Sequence, residues 1–136
     1  MTVPPEASKL QQHLEQLHKF HQDSLLWVVL IGSEGRVLAS LNTDRDADDK
    51  VWQRIHAVHL QMTTIVRDLG LDQLHMMQIE GDPEKQDEPR VFIFTVPCHQ
   101  WLLAVSVNKK VRTGLLRLDV LRTIEKMCGG PVPMSA

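Results

Sequence analysis

The stretch Leu25–Leu41, LLWVVLIGSEGRVLASL, constrains this chain more than any other. Its first half is apolar at nearly every position, which is the pattern of a strand buried on both faces of a covered sheet. Ser33-Glu34-Gly35-Arg36 then supplies a tight turn, with Gly35 suited to a position of positive φ. A second strand, Arg36–Leu41, has a lighter pattern and ends in small and polar residues. A hairpin opened by so apolar a strand must lie inside a layered domain, with helices covering the sheet. No catalytic side chain stands out within it.

The segments around the hairpin supply the covering layers. Residues 1–6 carry two prolines and are expected to form a flexible arm, leaving one domain over residues 7–128. From Ala7 the pattern is helical, with Leu10, Leu14, Leu17 and His21 on one face; Asp23 and Ser24 stop it. The acidic connector Asn42–Asp49 leads into a second helix that Asp46 or Asp48 can cap, with Asp49 favourably placed near its positive end. Val51, Ile55, Val58, Met62, Ile65 and Leu69 form an apolar stripe along that helix, about 30 Å long, before Gly70 ends it. Beside it runs a mixed stripe: Trp52, His56, His59, Thr63 and Val66. One stripe suffices to dock the helix on its own sheet. The second suggests a further, less apolar contact with a partner, unless Trp52 merely widens the core face.

Three more strands follow: Leu74–Glu80, Arg90–Val96 and Trp101–Val107, joined by a polar loop and a short turn as an antiparallel meander. A third helix runs from about Val111 to Met127, with Leu115, Leu118, Leu121 and Ile124 among its apolar positions; residues 129–136 are expected to be a flexible tail. The order is α-β-β-α-β-β-β-α. The predicted fold class is α/β of the α+β kind: a central five-stranded antiparallel sheet with helices on both faces. The first, fourth and fifth strands are the most apolar and should be central. The third is more polar and should be an edge, which must be protected or paired. Pairing it with a second copy would set two long second helices side by side.

Composition excludes several classes. A net charge of −2 gives no nucleic-acid footprint. The two cysteines, Cys98 and Cys128, are too few for a disulfide framework, so a reduced, cytoplasmic chain is the simplest reading. The N-terminal residues have no apolar signal-peptide core, and the run Leu25–Ile31 is too short to cross a bilayer, so no membrane insertion is expected.

Candidate chemical sites dissolve under the same scrutiny. There is no GxxxxGK[ST] run, so the chain is not itself a P-loop GTPase. Asp44, Asp46 and Asp48 imitate a calcium loop, but Asp49 and Ile55 stand where it needs Gly and Glu. His18 with His21, and His56 with His59, lie three apart on helices, yet no further ligand sits at a supporting spacing. No metal or cofactor is therefore expected, and the histidines read as partner-face or solvent-edge groups that could make an interface pH-sensitive. Cys98 and His99 are turn neighbours whose side chains point apart, not a nucleophile and its base. Lys109 and Lys110 read as solvated. Arg117 and Arg122 lie on a helix expected to pack opposite the second helix, so no catalytic role falls to them. No acid, base and nucleophile converge, so the chain reads as a non-enzyme.

Several pieces together resemble the roadblock / dynein light chain family, bacterial MglB-like members included. They are the hairpin LWVVLIGSEGRVLAS, the helix closing on Arg67-Asp68-Leu69-Gly70-Leu71, the strand HMMQIEG, and the final helix opening through Thr113-Gly114-Leu115-Leu116-Arg117-Leu118. The resemblance spans about Leu10 to Met127. It implies a homodimer, or a heterodimer with another roadblock protein, formed through the second helix and third strand. That places Trp52, His56, His59, Thr63, Val66, Met76 and Gln78 at the dimer or partner interface. It also implies a platform or regulator for a small Ras-like GTPase, with GTPase activation that needs no arginine finger in the MglB type. The alternative is a PAS- or profilin-like ligand-sensing module, which needs a cavity between sheet and helix; the dense Leu, Ile, Val, Phe and Met content argues against one.

Overall fold

The computed structural model describes residues 7–82, 84–85 and 88–129. The expected arm over residues 1–6 and the tail beyond Gly129 lie outside the described residues. The elements are α1 (Ala7–Phe20), β1 (Leu25–Ile31), a single 3-10 turn (Ser33–Gly35), β2 (Val37–Leu41), α2 (Lys50–Asp68), β3 (Met76–Glu80), β4 (Arg90–Val96), β5 (Trp101–Val107) and α3 (Thr113–Met127). One five-stranded sheet runs β2-β1-β5-β4-β3, with every neighbouring pair antiparallel. β1, β5 and β4 are central, and β2 and β3 are the edges, as the apolar patterning requires.

The central strands are largely apolar because each feeds two cores. Val28 and Leu30 of β1 join Phe92, Phe94, Leu103 and Val105 in one core. It is closed by Leu10, Leu14 and Leu17 of α1 and by Leu116, Val120 and Ile124 of α3. Val29 and Ile31 point the other way and meet Ile93, Leu102, Ala104 and Trp52 of α2. The alternation of adjacent residues between faces is simple strand geometry. On α3 the inward stripe is Leu116, Val120, Thr123 and Ile124, whereas Leu115 and Leu118, expected among the apolar positions, are half exposed.

Local chemistry sets the ends of α2. Its N-cap is Asp49, whose carboxylate accepts from the Val51 N–H at 2.9 Å; Asp46 and Asp48, the caps expected from sequence, do not fill that role. At the other end Gly70 has φ +80. The Gly70 N–H reaches Arg67 O at 3.0 Å and the Leu71 N–H reaches Val66 O at 3.0 Å, a Schellman closure. Gly35 is required twice over. Its φ is +80, and an added Cβ would lie 2.5 Å from the Cα of Gln53 in α2. The hairpin turn thereby seats the start of the long helix.

Cys98 and Cys128 are bonded to each other, with their Cα atoms 5.6 Å apart. This corrects the reduced chain expected from the cysteine count. The fold brings the β4–β5 turn against the C-cap of α3, a proximity that a separation of 30 residues concealed. No helix among the described residues is long and apolar enough to cross a membrane.

Candidate dimer and partner interface

The two stripes of α2 share the docking that was expected of the apolar one alone. The mixed stripe faces the sheet. Trp52 is 1% exposed, sets its ring edge-on to Trp27 at 5.7 Å, and donates its indole N–H to Asp46 O at 3.0 Å. Val66 is buried as well. His59 Nε2 lies 3.0 Å from Thr95 Oγ1 of β4, and Thr63 Oγ1 donates to His59 O one turn back at 2.9 Å. Trp52 and Val66 are therefore core residues, not partner contacts, and His59 and Thr63 are part-buried with internal partners. His56 is half-buried on the same side of the helix. Burial, and secondarily the neighbouring His56, holds the His59 pKa below its ordinary value.

The apolar stripe is divided: Val51 and Ile55 pack against the α2-side core, and the rest turns toward solvent. Val58, Ile65 and Leu69 are exposed, while Val51, Ile55 and Met62 are half-buried. Val51, Ile55, Val58 and Met62 border, together with β3, an open cleft of about 450 Å³, whose lining also includes Met77, Ile79 and Ile93. The register explains which β3 residues belong to it. Met77 pairs with Ile93 and Ile79 with Val91, and Ile93 and Val91 lie on the α2 side. Met76 pairs with Phe94 and Gln78 with Phe92, so by strand alternation their side chains belong to the opposite face. Met76 packs there against the α1–α3 core. Met76 and Gln78, assigned to the interface from sequence, are nonetheless among the residues that line the cleft. Met77, Ile79 and Val58 line the cleft but were not among the interface residues expected from sequence. The signal for the first two was the period of two in β3.

The two edges of the sheet differ. At β2, Gln11 of α1 donates to Ser40 O at 2.9 Å, and Asn42 and His18 are bonded at 3.0 Å; α1 thus covers that edge. At β3, one side carries the ladder to β4, and among the described residues no backbone group pairs with the other side. An uncovered edge beside an uncovered apolar helix face is a template for another chain.

The remaining candidates resolve separately. His18 turns to Asn42 and His21 to Asp119 at 2.7 Å, so the two do not converge. Cys98 is oxidised, and His99 stacks on Trp101 at 4.2 Å, which leaves no thiolate for nucleophilic chemistry. Among the described residues no three metal-ligating side chains come together.

This architecture is that of the roadblock, MglB-like domains, a five-stranded antiparallel sheet between one helix and two. Among solved structures, MglB of Myxococcus xanthus superposes with a TM-score of 0.79 at 15% identity, over 95% of this chain and 92% of that one. A Roadblock/LC7 domain from Streptomyces avermitilis gives 0.71 at 15% identity, over 86% of this chain and 92% of its own. A profilin, LokiProfilin2, solved with rabbit actin, gives 0.59 at 14% identity, over 95% and 98%. No protein-family model and no curated protein matches the sequence.

Proposed function

We propose that this protein is a dimeric interaction protein that regulates or scaffolds a small Ras-like GTPase. The dimer forms when α2 and the free edge of β3 meet their counterparts on a second roadblock-type chain. The observation that carries this reading is the pairing of an exposed aliphatic stripe on α2 with an unpaired β3 edge, while the β2 edge is covered by α1. Each half-exposed aliphatic side chain on that face gains roughly 1 kcal/mol on full burial. Continuation of the sheet across β3 would satisfy its open backbone groups at the same time.

The GTPase assignment rests on the sequence resemblance and on the likeness of fold to MglB. In this reading the domain carries no reaction of its own. It binds the GTPase, and any activation repositions groups that the GTPase itself supplies. The ligand-sensing alternative finds less support: Trp27 and Trp52 occupy the space between β1 and α2 where a sensed molecule would sit.

Two measurements test the proposal. Light scattering should return twice the chain mass of 15.5 kDa; a monomer at high concentration removes the dimer. Small GTPases encoded in the same genome, loaded with GDP or a GTP analogue, should differ in their binding to the protein. Equal binding or none in both states removes the GTPase reading.

A further inference from the structure

The sheet face opposite α2 has a cleft of its own, between α1 and α3. The two helices run antiparallel: His21, just past α1, bonds Asp119 midway along α3, while His13, earlier in α1, feels the charge of Lys126 in the last turn of α3. The cleft is about 360 Å³, with His13, Gln16, Phe20, Arg122 and Lys126 in its lining and Leu17 and Thr123 beneath.

Its charge is opposite to that of the chain. The one carboxylate in the lining, Asp119, is already engaged, 2.7 Å from His21 and 3.7 Å from Arg122. Among the described residues Lys126 makes no ion pair. The His13 pKa is held below its ordinary value first by burial and only secondarily by the positive charges of Lys126 and Lys9. In a protein of net charge −2 this cationic lining is a local reversal. One wall is Phe20, which is 65% exposed, beside the buried Leu17.

We infer that the α1–α3 cleft docks an acidic peptide segment of a partner protein, its carboxylates against Arg122 and Lys126 and an apolar side chain against Phe20. A bare anion would meet the cations and leave Phe20 in water. A peptide uses both features, as interfaces that pair an aromatic anchor with complementary charge do. The cleft and the α2–β3 surface lie on opposite faces of the sheet, so both can be occupied together. The inference stands apart from the GTPase reading.

Random peptides displayed on phage, selected on the full-length protein, test it. The selected sequences should be enriched in Asp and Glu around a Leu or Phe. A synthetic peptide of that consensus should bind saturably, and more weakly as salt rises. Lys126→Glu should weaken it by roughly tenfold or more. A peptide with lysine in place of its acids should recover binding to K126E, which no loss of fold could produce. Phe20→Ser should weaken the original peptide, and both variants should keep the parent's mass by light scattering. The inference is overturned by selected peptides without acidic enrichment or by binding that both variants leave unchanged. Displacement by inorganic phosphate alone, which marks a small-anion site, overturns it too. So does tighter Lys126-dependent binding to phosphatidylglycerol vesicles than to the peptide.

Discussion

Trp52 and Gly35 show how single positions hold the long helix. Trp52 contributes the largest fully buried side chain and spends its indole N–H on Asp46 O, so it packs and pins the connector at once. Trp52→Ala leaves a void beneath α2 and should cost about 3–5 kcal/mol. Denaturant unfolding should show this as a lower midpoint, with loss of dimer only as a consequence. A variant that unfolds at the parent midpoint but loses its partner would return Trp52 to the interface. At Gly35 the obstacle is different. Gly35→Ala places a Cβ in a left-handed backbone and against the Gln53 backbone, so about 1–3 kcal/mol of destabilisation is expected from conformation alone. The same unfolding measurement checks it. A change smaller than a few tenths of a kcal/mol would mean that the turn relaxes away from α2 at little cost.

At the scale of elements, α2 and β3 act as one surface, and substitutions there should separate association from folding. Val58→Asp and Ile65→Asp put charge on positions that are 50% and 45% exposed in the monomer, so each should change monomer stability by no more than about 0.5 kcal/mol. Buried in an apolar contact with a second chain, the same carboxylates would be unpaired and costly. The expected outcome is a folded monomer by light scattering and circular dichroism; a dimer unaffected by both substitutions would place the interface elsewhere. This surface also marks where the sequence was legible and where it was not. Strand order followed from apolar patterning because burial on both faces leaves little room for polar residues in β1, β4 and β5. The stripes of α2 misled because apolar content alone does not say which core a side chain enters. A dimer contact can be as apolar as an interior. A docked stripe can hold Trp52, His59 and Thr63 if Asp46 O, Thr95 and the helix's own backbone satisfy their polar atoms. Those partners lie in the connector and in β4, and only the fold brings them to α2. The disulfide was hidden for the same reason. Closing a 30-residue loop should add about 3–4 kcal/mol on the chain-entropy account. Reduction under native conditions should therefore lower the melting temperature, and Cys128→Ser should lower it equally; an unchanged melting temperature would show that the two sulfurs are not joined in solution.

Across the whole molecule, acid should act through histidines that the fold keeps neutral. His13, His59 and His75 are each held below the ordinary value of 6.5, with burial as the first cause. Each has a second cause in nearby positive charge: Lys126 and Lys9 for His13, His56 for His59, and Arg117 for His75. The three residues tie different layers together, since His13 lies between α1 and α3, His59 joins α2 to β4, and His75 enters β3. Above pH 6.5 both folded and unfolded chains hold these rings neutral, so they contribute no slope. Below it the unfolded chain takes up protons that the folded chain refuses, and stability falls with pH until the depressed folded values are reached. Asp49 adds a second, more acidic stage. Its pKa is lowered from 3.8, first by the Val51 N–H and then by Arg45, so its helix cap is kept above that value and lost as pH falls through the folded one. Urea midpoints measured from about pH 8 to about pH 5, at one protein concentration because association also stabilises the folded state, should be level at first and then decline. His59→Gln, which keeps a hydrogen-bonding group near Thr95 but cannot take up a proton, should make that decline shallower. An identical slope in parent and variant would mean that α2 yields and solvates His59 before it titrates, and the pH dependence would then belong to His13 and His75 alone.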